Sequence, residues 1–92
     1  MNLLVELQSL YVTAARPLPS QRVEITTKSG ATLVVDLSGL IAGRDIFWRL
    51  RQDRYFKMVR VNEQGVLCWP EGEDVAPESL GRYVVARGVV AG

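Results

Sequence analysis

Glu71, Glu73 and Asp74 fall within four residues of one another, and three carboxylates that close could hold a hard cation. They lack the alternating ligand spacing of a calcium loop. The plainer expectation is a solvated turn in which Asp74 accepts backbone N–H bonds ahead of Pro77, since Ala76 cannot cap with its own side chain. Cys68 is the one thiol, and with no histidine in the chain it has no imidazole to activate it. Its neighbours Leu67 and Trp69 place it on a strand with a buried face, as a structural thiol. Asp36, ahead of Leu37-Ser38-Gly39, is expected to hold its turn through backbone hydrogen bonds. No catalytic residue, metal site or cofactor is expected, and an enzyme ranks behind two binding roles.

The second concentration of chemistry is cationic. Arg44, Arg49, Arg51, Arg54, Lys57 and Arg60 fall within seventeen residues whose only acids are Asp45 and Asp53, whereas residues 61–81 carry five acids and no Lys or Arg. Trp48, Tyr55 and Phe56 interleave with the basic residues, which resembles a nucleic-acid surface. Against that, Phe47, Leu50 and Phe56 are needed for the core, and the isoelectric point of 7.9 is not that of a dedicated binder. On a helix Trp48 would sit about 100° from Phe47, at the rim of the core or in solvent. With Arg44, Arg49, Arg51 and Arg54 around it, Trp48 is a candidate protein interface, because Trp and Arg are enriched as anchors. The plainer alternative is that Trp48 caps the edge of the core.

These residues must be positioned by a single domain spanning residues 1–92, with 48% apolar residues to fill one core. One cysteine permits no internal disulfide. Residues 1–10 have no basic leader, and Glu6 interrupts their apolar run, so a signal peptide is not expected. No apolar run approaches the ~20 residues of a membrane span. The expected location is the cytoplasm, with no membrane partner.

The expected fold class is α+β: a small antiparallel sheet of about four to five strands, arranged as two hairpins with short helices between and after them. Residues 10–15 read as a strand ended by the breaker Arg16-Pro17-Leu18-Pro19-Ser20. Val23 and Ile25 then alternate with polar residues, as do Leu33, Val35 and Leu37. Pairing Ile25 with Val35 and Val23 with Leu37 leaves the odd loop Ser29-Gly30-Ala31. In the second hairpin, Val61 faces Leu67 and Val59 faces Trp69 across Glu63-Gln64-Gly65, with Gly65 at the left-handed third position. Asp45 is placed to cap a helix that buries Ile46, Phe47 and Leu50, and Asp53 to cap a turn that turns Tyr55 and Phe56 inward. Trp69-Pro70-Glu71-Gly72 has the pattern of a type I turn, and Pro77 with Glu78 starts a helix. Residues 82–92 fit either a helix or a strand.

In combination, Pro17-Leu18-Pro19, Asp36-Leu37-Ser38, Phe47 with Leu50 and Phe56, Val59-Arg60-Val61, Trp69-Pro70-Glu71-Gly72-Glu73-Asp74, and Pro77 with Leu80 form a specific pattern. It resembles a bacterial family of small domains of unknown function, over a core of about residues 12–83. Gln52 stands where the family often has an acid, with Asp53 one place later. Some relatives append a helix-turn-helix, for which this chain has no room. The resemblance implies a small antiparallel sheet with short helices. It also implies an arrangement beside another small encoded protein, similar to toxin–antitoxin pairs. The expected role is therefore a protein–protein interaction module, the partner component of such a pair, with weak nucleic-acid binding or regulation through residues 44–60 as the alternative. The apolar segments at the two ends add an expected homodimer, with Leu3, Val5 and Leu7 at its interface and Val84 and Val85 close by.

Overall fold

The computed structural model describes residues 10–88. Alternating strands build its larger sheet: β1 (Val12–Leu18), β2 (Arg22–Thr27), β3 (Thr32–Asp36) and β7 (Val84–Arg87), antiparallel in the order β1-β2-β3-β7. Val23, Ile25, Leu33 and Val35 are buried on its inner face. On the outer face Arg16 pairs with Glu24 at 3.1 Å and Arg22 with Asp36 at 3.4 Å, each directly across the ladder.

The first hairpin departs from the expected register. Val23 lies opposite Val35 and Ile25 opposite Leu33, so the pairing is shifted by two residues. An even shift keeps every side chain on its face, so apolar alternation does not distinguish the two registers. Loop geometry does: the loop is Lys28-Ser29-Gly30, closed by Thr27 N–H to Ala31 O at 2.8 Å, and Gly30 takes the left-handed third position at φ +93°. The proline breaker also sits later than expected. β1 runs through Pro17, which is tolerated because β1 is an edge strand, and the chain reverses at Pro19-Ser20-Gln21.

A second, three-stranded antiparallel sheet follows: β4 (Arg60–Val61), β5 (Leu67–Cys68) and β6 (Asp74–Val75). Here the expected register holds. Val61 faces Leu67, and Gly65 stands at φ +76° in the loop Glu63-Gln64-Gly65. Trp69-Pro70-Glu71-Gly72 turns as expected, with Gly72 N–H donating to Trp69 O at 3.1 Å. The chain then re-enters a strand: Trp69 N–H donates to Glu73 O at 2.9 Å, and Asp74 pairs with Cys68. Asp74 is thus an exposed strand residue. Among the described residues its carboxylate accepts none of the turn bonds expected of it.

The helical pieces are α1 (Ser38–Gly43), a 3₁₀ segment (Asp45–Arg51), α2 (Asp53–Phe56), α3 (Pro77–Leu80) and a 3₁₀ turn (Gly81–Tyr83). Pro77 opens α3 with Glu78 in its first turn, as expected. Asp45 and Asp53 are not caps; each is the first helical residue after an extended Arg44 or Gln52, and neither segment has a side-chain cap bond. Of residues 82–92, which fit a helix or a strand, 82 and 83 belong to the 3₁₀ turn and 84–87 form β7, while 89–92 lie outside the described residues. One core joins both sheets and the helical pieces, centred on Phe56, Trp69, Leu67, Leu50, Ile41 and Leu80. At the start of β1, Val12 N–H donates to Gly65 O at 2.9 Å, which fastens the two sheets together, and Lys28 N–H donates to Tyr11 O at 2.9 Å within the larger one.

Candidate functional site

The 3₁₀ segment Asp45–Arg51 is two short turns joined at a kink, where Phe47 leaves helical geometry at φ −97° and ψ 17°. Phe47 and Leu50 are buried. Ile46, expected in the core beside them, is 67% exposed, and Trp48 is 50% exposed. A continuous α-helix would have put Ile46 on the face of Leu50; the kinked 3₁₀ segment turns it outward.

Trp48 is exposed yet restrained. The Arg49 guanidinium carbon stands 4.7 Å from the centre of its ring, a cation–π stack. Asp45 and Arg51, one turn to either side of Trp48, approach to 3.9 Å, and Arg51 Nη2 also donates to Ile41 O at 3.3 Å. Arg49 is anchored from below, where its Nη1 donates to Glu73 Oε2 at 3.4 Å.

Glu73 is the one buried charged residue among those described. Its other oxygen, Oε1, accepts from the Tyr55 hydroxyl at 2.6 Å, and that hydroxyl accepts from Glu71 N–H at 2.9 Å. Burial pushes the Glu73 carboxyl up, but the Tyr55 hydroxyl, its own backbone N–H and Arg49 outweigh this and hold it below its ordinary value. Burial and the adjoining Glu73 carboxylate push the Tyr55 hydroxyl up. Beneath them Trp69 donates from Nε1 to Phe56 O at 2.9 Å, with the two rings 5.8 Å apart. A buried carboxylate, a tyrosine and an arginine thus brace the exposed tryptophan from inside the fold.

The remaining candidate residues divide clearly. Arg44 and Arg54 are exposed and flank the segment. Asp36 holds its turn as expected: Oδ1 accepts from Ser38 N–H at 2.9 Å and Ser38 Oγ at 2.7 Å. These bonds, with Arg22 nearby, outweigh burial and keep its carboxyl low. Trp69, Pro70, Gly72 and Pro77 serve the turns described above. Glu71 and Asp74 point to solvent while Glu73 points inward, and among the described residues no three His, Cys, Asp or Glu side chains converge on a point. Val84 is half-buried against the core and Val85 is 57% exposed on β7. Leu3, Val5 and Leu7 lie outside the described residues. A groove of about 390 Å³ runs between the start of β1 and the β4–β5 loop, lined by Tyr11, Lys28, Asn62 and Gly65 among others. No helix among the described residues is long and apolar enough to cross a membrane.

Glu73 and Tyr55 were not evident from sequence as a pair. A signal was available: Glu73, Val75 and Pro77 alternate as inward positions along an extended chain, so an acid stood at a core-facing place.

Residues 12–86 match the model of the family described as Protein of unknown function (DUF2442). No curated protein and no solved structure matches the chain.

Proposed function

We propose that this chain, which belongs to the DUF2442 family, works as a protein–protein interaction module whose contact surface is the ledge formed by Ile46, Trp48 and Arg49. The observation that supports this role is a half-exposed Trp48 stacked by an arginine that is itself tied to a buried carboxylate. A large side chain ordered before binding loses less entropy on binding, and Trp and Arg dominate interface energetics. The role requires no nucleophile, base or cofactor. A small co-encoded protein, the toxin–antitoxin-like arrangement implied by the family resemblance, is the first partner to test.

The test is capture on the tagged full chain, with nuclease added, against a Trp48→Ala bait of equal stability. A protein held by the native bait and released from the variant supports the role. Equal capture by both baits refutes the ledge as the surface.

A second copy of the chain is also a proposed partner. Among the described residues β7 ends the sheet order, with no described strand on its outer side, and Val85 is exposed there. The proposed homodimer pairs β7 with its two-fold mate along that edge.

A further inference from the structure

The chemistry of the ledge narrows what can occupy it. Ile46 and Trp48 are exposed apolar side chains two residues apart on one short segment, 67% and 50% exposed. The cations around them outnumber the acids: Arg44, Arg49, Arg51 and Arg54 against Asp45 and Asp53. Glu73, the acid nearest beneath, is engaged by Tyr55 and Arg49 and its side chain is 5% exposed, so it does not meet a visitor directly.

Arg49 is the decisive residue. A guanidinium has five N–H donors, and the bond recorded for Arg49 places Nη1 on Glu73 while its plane lies over Trp48. Its side chain remains 38% exposed, and among the described residues Glu73 is the only partner its donors have. An outward guanidinium edge matches a carboxylate, and the adjoining ring matches an apolar side chain.

We propose, building on the contact surface assigned above, that the ledge takes an acidic peptide segment in which an aliphatic or aromatic residue stands beside one or two carboxylates. The apolar residue packs on Trp48 and Ile46, and a carboxylate meets the outer edge of Arg49. Arg44 and Arg54 lengthen the field that draws such a segment in. An aliphatic Ile46 on the same ledge suits a peptide side chain better than a nucleic-acid base, which stacks on aromatic rings and guanidinium planes.

The test pans a displayed library of random peptides on the full chain, then measures the enriched peptides in solution by fluorescence anisotropy. Enrichment of Asp and Glu around an apolar position is the expected result. Trp48→Ala should weaken those peptides roughly tenfold or more. Arg44→Gln, whose side chain makes no hydrogen bond or ion pair among the described residues, should weaken them a few-fold and flatten their salt dependence. Arg49→Gln is measured beside them with a denaturation curve, because it strips Glu73 of its cation. Enriched peptides that need Trp48 but lack acids would overturn the acidic class while leaving the ledge as a contact surface. Acidic peptides indifferent to Trp48→Ala would overturn both, as would an absence of enrichment. A DNA duplex that binds more tightly than any peptide and is lost with Trp48→Ala would overturn the peptide in favour of nucleic acid.

Discussion

The Tyr55 hydroxyl donates to Glu73 at 2.6 Å and accepts from the backbone N–H of Glu71 at 2.9 Å, so one oxygen ties α2 to both sides of Gly72. Removing it leaves a buried carboxylate short of a donor and an amide short of an acceptor. Tyr55→Phe should therefore lower stability by about 1–3 kcal/mol. Urea denaturation read by far-ultraviolet circular dichroism measures it; an unchanged midpoint would mean that water replaces the hydroxyl.

Acid should unfold the protein partly through Glu73 and Asp36. Both carboxyls are held below their ordinary values in the fold, so each contributes stability that is fully present above its unfolded value. That contribution is lost as pH falls below about 4, through the folded values. Tyr55, raised in the fold, acts in the opposite sense: its contribution is present below its ordinary value and lost as alkali is raised through the folded one. Glu73→Gln should flatten the acid limb of a plot of melting temperature against pH. An acid limb identical to that of the native chain would remove Glu73 from the account.

Gly65 and Gly30 occupy equivalent loop positions but have different surroundings. Both have positive φ, so alanine costs roughly 1 kcal/mol at either on backbone grounds. A Cβ at Gly30 meets nothing within 4 Å, whereas one at Gly65 would stand 3.3 Å from Val12 O and 3.4 Å from the Tyr11 side chain. Gly65→Ala should be the more destabilising of the two in parallel denaturation curves. The reverse order would contradict the seating of the β4–β5 loop against β1.

Trp48 and Trp69 should be separable by fluorescence. Trp69 is 1% exposed and Trp48 50%. Trp48→Phe should leave an emission that is blue-shifted and resistant to acrylamide, with stability changed by less than about 0.5 kcal/mol. Residual quenching like that of the native chain would place Trp69 nearer to solvent than described here.

Self-association should depend on the open edge of β7. Sedimentation equilibrium of the full chain should show a dimer that Val85→Lys weakens and that deletion of residues 1–8 also weakens. A native chain that stays monomeric at high micromolar concentration would end the homodimer proposal.

Much of this architecture was legible in the sequence where one local rule decides. Gly65 pinned the second hairpin because its loop length and its apolar pairs agreed, and Pro77 fixed the start of α3. The first hairpin was misregistered because apolar alternation is blind to a two-residue slip, leaving the conformation of Gly30 to choose. Ile46 faces solvent because its segment is a 3₁₀ one kinked at Phe47, and an even helical spacing does not foresee a kink. The brace under Trp48 was hidden for another reason. Tyr55 and Glu73 are eighteen residues apart, and their contact exists only once the second sheet has turned Glu73 inward.

The strand order has a consequence for how the molecule is made. β1, β2 and β3 pair with sequence neighbours through short loops, and so do β4, β5 and β6, so these units can form as soon as they are synthesised. β7 alone must return across the whole middle of the chain to reach β3. Until residue 87 has left the ribosome, the β3 edge that β7 covers, with β-branched Thr32, Val34 and Val35, therefore lacks that partner. An incomplete chain offers that edge to its neighbours, and premature termination before Val84 should yield inclusion bodies in place of a smaller folded domain.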